Sequence, residues 1–168
     1  MNRKETTATL GRLLEKHIDP QNDPRIYWAK EVTFDYSDGS TVRVDYMRFK
    51  PVKNTVSGIE KGDFYCYEIK SSIADYHSPN GHNFMGDYNY YVMPEEVFKA
   101  VEKEIPFHVG VLIPLDDWRG KTILVPAKNA KREDRNRPVC EMLLMMYRSS
   151  RREVVNVRRS AAKEGAEG

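Results

Sequence analysis

Cysteine is scarce in this chain: Cys66 and Cys140 are the only two among 168 residues. Two thiols cannot build a disulfide framework, and their separation gives no zinc-ligand spacing. This usage predicts a reducing, cytoplasmic setting. Long apolar runs are missing as well; none approaches the ~20 residues of a membrane-spanning helix. The start, Met1-Asn2-Arg3-Lys4-Glu5, leads into an amphipathic segment rather than a signal-peptide core. No membrane partner is therefore expected. Charge of one sign is nearly absent in sum, since 27 Lys and Arg face 25 Asp and Glu for a net +2. The molecule is no polycation, and contact with nucleic acid would need a local basic patch. There is no glycine-rich phosphate loop and no internal repeat. The histidines, at 17, 77, 82 and 108, show no metal-ligand spacing.

What is present fits one globular domain: 40% of residues are hydrophobic and 31% charged. We assign residues 1–150 to that domain and 151–168, basic and then Ala/Gly/Glu-rich, to a flexible tail. Leu10, Leu13, Leu14 and Ile18 recur at helical spacing behind the candidate caps Thr6 and Thr7, and Asp19-Pro20 ends the helix. Val32, Phe34 and Tyr36 alternate with polar residues as in a half-buried strand. Ser37-Asp38-Gly39-Ser40 is a hairpin signal, and Val42 to Phe49 forms the return strand. A loop from Pro51 to Gly62 leads to a third strand, Phe64 to Lys70. Ser71 or Ser72 caps a short helix at Ile73. Tyr90 to Met93 reads as a strand and Pro94-Glu95-Glu96 as a helix start. Val109 to Ile113 is a strand covered on both faces, followed by a strand from Thr122 and a last helix from Pro138. This order predicts an α/β fold with a central mixed sheet flanked by helices.

The chemistry sits at the end of the third strand. Glu68 and Lys70 are two residues apart and share a face of it. Asp45, in the middle of the preceding strand, can lie beside them. Two carboxylates and an ammonium at one spot suit metal-dependent phosphodiester hydrolysis. The carboxylates supply hard oxygen ligands for Mg²⁺ or Mn²⁺, and the lysine orients water or offsets charge on phosphate. The plain alternative is an ion pair at a strand end, of small energetic worth. Lys128, Lys131, Arg132 and Arg135 form a basic loop that would suit a phosphate backbone, or be merely solvated. Asp87 and Asn89 read as turn or cap residues.

Asp45 followed by Glu68-x-Lys70 on successive strands, after an N-terminal helix, resembles the PD-(D/E)xK nuclease superfamily. The string Glu68-Ile69-Lys70-Ser71-Ser72 with Asp75-Tyr76 is similar to the MmcB family of DNA repair proteins and its phage-borne relatives, as are the segments 86–94 and 105–111. The resemblance covers roughly residues 25–126. It implies a restriction-endonuclease-like fold and a DNA nuclease of repair or phage DNA metabolism, with DNA as partner. A catalytically silent module that binds DNA or a replication or repair protein is the alternative. It implies Asp45 and Glu68 as metal ligands, the Ile69 carbonyl completing the shell, and Lys70 as the catalytic lysine. The proline that often precedes the first acid is replaced by Val44. Glu15 takes the place of the first-helix glutamate some members add, although it lies off the apolar stripe of that helix. Asp75 lines the site or stabilises a helix start. His82 stands nearest to the second basic residue of the bacterial relatives.

Overall fold

The computed structural model describes residues 2–35 and 39–164. Tyr36, the expected end of the first strand, and Ser37 and Asp38 of the expected hairpin turn lie outside them, as do residues 165–168 of the expected tail. Gly39 takes φ +81°, as an Asp-Gly turn demands.

The elements follow the predicted order with additions. They are α1 (Arg3–Ile18), β1 (Tyr27–Asp35), β2 (Thr41–Lys50), α2 (Val56–Glu60), β3 (Asp63–Ile69), α3 (Ile73–Tyr76), β4 (Tyr88–Val92), α4 (Glu95–Val101) with a 3-10 turn after it, β5 (Gly110–Asp116), β6 (Thr122–Lys128) and α5 (Val139–Glu164). The cap of α1 is Asn2, not Thr6 or Thr7; its side chain accepts the Glu5 N–H while the Glu5 carboxylate takes the Asn2 N–H. Ser72 caps α3, accepting the Asp75 N–H at 3.1 Å. The segment expected as loop from Pro51 to Gly62 contains α2, started by Thr55.

Six strands form one sheet in the order β1-β2-β3-β4-β5-β6. β1 to β3 are antiparallel neighbours, β3 to β5 run parallel, and β6 returns antiparallel. Leu10, Leu14 and Ile18 of α1 cover one face over Tyr46, Tyr67 and Leu112. On the other, α5 packs Val139, Met142 and Met146 on Met47, Phe49 and Phe64. Beside it Val97 and Val101 of α4 meet Tyr91 and Val111. The chain is a mixed α/β fold with its sheet sandwiched between helices, and burial of these apolar faces is its main stabilisation.

A break in strand alternation positions the site. Ala29 is buried on β1, but so are Val32 and Phe34, so the inward face changes parity between them. The change falls at Glu31, which has φ +52°. β2 changes parity opposite, where Val44 pairs with Val32 and Tyr46 with Lys30, leaving Asp45 across from Glu31. The Glu31 carbonyl accepts from Ser149 Oγ and from Arg152 of α5. These bonds hold a backbone conformation that costs about 1 kcal/mol or more in a non-glycine residue.

Residues 151–164, read from the sequence as part of a flexible tail, continue α5 as helix. Residues 151–162 nevertheless stay out of the core, as their sequence suggested. Among the described residues no helix is long and apolar enough to cross a membrane.

Candidate active site

β2 and β3 bring Asp45 and Glu68 together. The Tyr46–Tyr67 pairing puts them at the next rung of the ladder, and Asp45 Oδ2 accepts the Ile69 N–H at 2.9 Å. Both acids line a cleft of about 960 Å³ together with Ile69, Lys70, Asp75, the 78–81 loop, Thr33 of β1, Thr41 to Arg43 of β2 and the first turns of α1. Glu68 is 5% exposed and Lys70 only 2%. Burial, and then the neighbouring Asp45, pushes the Glu68 carboxyl up to about 8. Burial raises Asp45 as well, against the pull of the Ile69 N–H and the Arg43 guanidinium. Two desolvated carboxylates that resist ionising together form a site whose charge a cation relieves.

Lys70 Nζ is held by main-chain oxygens. It donates to the Asn80 carbonyl and, at 3.4 Å, to that of Asp75. Burial lowers the ammonium's proton affinity, and the Asp75, Glu68 and Asp45 carboxylates oppose that shift. The loop behind Asn80 comes equally close to the acid. Gly81 has φ +71°, and a Cβ there would stand 3.0 Å from both Glu68 Oε2 and Lys70 Nζ. Asn83 Nδ2 donates to the Arg43 carbonyl at 2.9 Å and to Glu68 Oε1 at 3.3 Å.

The remaining sequence candidates divide. Asp75 lines the cleft, but its carboxylate already accepts the Ser71 N–H and Oγ at 2.9 and 3.0 Å and pairs with Arg3 at 2.7 Å. It orders the turn after Lys70. His82 is a staple rather than a cleft residue. Its Nε2 faces the Tyr76 and Ser78 carbonyls at 2.9 and 3.0 Å and so carries a proton. Its Nδ1 lies 2.6 Å from the Tyr91 hydroxyl. Together these bonds fasten the loop to α3 and β4. Glu15 does not join the acids. It accepts from the Tyr46 hydroxyl at 3.0 Å and pairs with Lys30 at 3.3 Å, on the side covered by α1.

The basic loop lies away from the cleft, and most of its cations are engaged. Lys128 donates to the Ile105 and Pro106 carbonyls. Lys131 sits over the Phe107 ring at 4.5 Å. Arg132 reaches Asp63, Asp87 and Asp134, and Arg135 grips Asp87 at 2.7 Å. Asp87, fully buried, also accepts the Phe64 N–H at 2.8 Å. Among the described residues, the cations that line the cleft are Arg3, Arg43 and Lys70. Sequence reading missed Arg3, Arg43 and Asn83 as cleft residues. Asn-Gly at 80–81 marked the turn, but nothing marked where it would fold.

Asp45, Glu68 and the Ile69 carbonyl are the groups that could hold a metal. Among the described residues no three His, Cys, Asp or Glu side chains gather as a metal cluster. A cation here would take two carboxylates and fill its shell with main-chain oxygen, water or phosphate, as Mg²⁺ commonly does. Comparison with protein-family models, with curated proteins and with solved structures finds no match to this chain.

Proposed function

We propose that the chain is a cytoplasmic, Mg²⁺- or Mn²⁺-dependent nuclease of the PD-(D/E)xK type that hydrolyses DNA phosphodiester bonds in repair or phage DNA metabolism. The observation that carries this reading is the convergence of Asp45, Glu68 and Lys70 in one cleft, with Glu68 and Lys70 nearly inaccessible. Buried charge is costly unless something compensates it, and neither acid is needed to fill the core. The bound cation would polarise the scissile phosphate and lower the pKa of a coordinated water. Asp45 and Glu68 would hold it. Lys70, fixed by two carbonyls rather than by a carboxylate, would turn its ammonium to the attacking water or the phosphoryl oxygens. Arg3 and Arg43 line the same cleft and would meet the flanking phosphates.

Lys70→Ala is expected to lose on the order of 100-fold or more in cleavage rate, because its charge acts mainly in the transition state. Metal affinity should stay near wild type. The assay offers single-stranded, double-stranded and branched DNA with Mg²⁺, Mn²⁺ or EDTA. Undiminished cleavage by purified Lys70→Ala would remove the lysine from the mechanism.

One observation favours a second reading, a silent module that binds DNA or a replication or repair protein. The main chain at Asn80 and Gly81 packs against Lys70 and Glu68. Wild type that cleaves no DNA with either metal but still binds it would select this alternative.

A further inference from the structure

α5 carries a seam of which the core uses only the N-terminal end, where the partly buried Leu143 packs beside Met142 and Met146. Leu143, Tyr147, Ser150, Val154, Val157 and Ala161 follow one another at alternating steps of four and three residues. This is the spacing of a two-stranded coiled coil, in which apolar positions every 3.5 residues on average stay on one side of a helix. The core is served by a different set on α5, the buried Val139, Met142, Met146 and Ser149. Leu143 and Ser150 are half-buried, and the other large apolar residues of the seam are open to solvent: Tyr147 is 65% exposed, Val154 42% and Val157 64%. At its N-terminal end it is continuous with an apolar groove of about 490 Å³, where Leu143, Tyr147 and Ser150 face Ile26, Trp28 and Ile59.

We infer that this seam pairs with the same seam of a second copy of the chain, forming a parallel two-helix dimer. Charge chooses both occupant and direction. With Tyr147, Val154 and Ala161 at the first core position of the heptad, Glu153 flanks the seam on one side and Arg151 and Arg158 on the other. In a parallel pair, Glu153 of each copy lies opposite Arg158 of the other, and both flanking contacts are attractive. In an antiparallel pair the arginines of the two copies face one another. Lys30 pairs with Glu153 at 3.0 Å and holds its side chain at the margin of the seam. Residues 151–162 are helical although none of them is fully buried and Val155 alone is half-buried within the chain. A partner helix supplies the packing that a projecting segment of this length otherwise lacks. The inference stands independently of the nuclease reading.

Sedimentation velocity of the full chain over a concentration series tests it. Wild type should pass from monomer to dimer. Val154→Lys with Val157→Lys should raise the dimer dissociation constant at least about 100-fold. Circular dichroism should show the fold retained, since both valines are exposed. A second pair of variants probes direction. Glu153→Arg and Arg158→Glu should each weaken self-association, while their equimolar mixture should associate as wild type does. Three results would overturn the proposal: wild type monomeric throughout, a dimer indifferent to the two lysines, or no recovery in the mixture. A monomer that uses this helix to bind DNA or anionic vesicles would likewise overturn it.

Discussion

Glu68 is 5% exposed beside Asp45, and its carboxyl holds its proton up to about pH 8 against an ordinary 4.5. A carboxyl whose folded pKa is raised keeps a proton that the unfolded chain releases. Its effect on stability is therefore most favourable below the ordinary value. It is lost as pH climbs through the window from 4.5 to about 8. Glu68→Gln should remove this slope and leave the protein more stable than wild type at alkaline pH, by on the order of 2 kcal/mol. Urea unfolding of both proteins across the window is the measurement. Mg²⁺ should lift wild-type stability increasingly with pH, since a cation displaces the proton, and should do so little in the glutamine variant. Parallel pH curves for the two proteins would show that Glu68 carries no such strain. At this scale the sequence was most legible where strand geometry dictates the answer. Asp45, Glu68 and Lys70 follow from face and register. Asn83 and the closeness of Gly81 do not, because a loop's path depends on what it packs against. The displacement of Glu15 from the apolar stripe already hinted that it belongs elsewhere.

Among the elements, the segment from Lys128 to Val139 shows what composition cannot say about charge. Five cations in a short stretch read equally well as a phosphate-binding patch or as solvated surface. Arg132 and Arg135 instead close on Asp87, which sits at the entry to β4 and carries the Phe64 N–H of β3. The Glu133 N–H donates to the Asp87 carbonyl, and the Lys131 N–H to that of His108. This loop thereby joins β3, β4, β5 and α5. Asp87→Asn removes the buried partner of the half-buried Arg135 and should cost about 3–5 kcal/mol. Lys131→Ala, at an exposed ring contact, should cost under about 1 kcal/mol. Chemical denaturation of the two variants side by side decides it, and equal effects would deny Asp87 its anchoring role. The misjudged boundaries have similar causes. β1 begins before the alternation that marked it, because Glu31 reverses which residues face inward. α5 continues past Ser150 without any pattern aimed at the core, so a reading keyed to core-facing periodicity ended it there.

For the whole molecule, the mixed sheet and its covering helices were legible because each element declares its own period, 2 for strands and 3.6 for helices. The number and order of elements then restrict the architecture. The strand order carries a further consequence. Every strand lies beside its predecessor in the chain, so each pairing closes over a short stretch, and such topologies assemble quickly. The main exception is α5, whose Ser149 bonds to Glu31 across 118 positions. Asp45, Glu68, Lys70, the 78–83 loop and Tyr91 all precede residue 92. Folding should therefore complete the cleft first and dock α5 last. Pulse-labelled hydrogen exchange would show β2 and β3 amides protected before those of α5; simultaneous protection would contradict this order. On the ribosome, where the N-terminal part emerges first, the acids and the lysine would meet while the segment that later covers Phe49 and Phe64 is still being synthesised. Those two rings then form a transiently open apolar surface, which places the aggregation hazard of the nascent chain on the sheet face opposite α1.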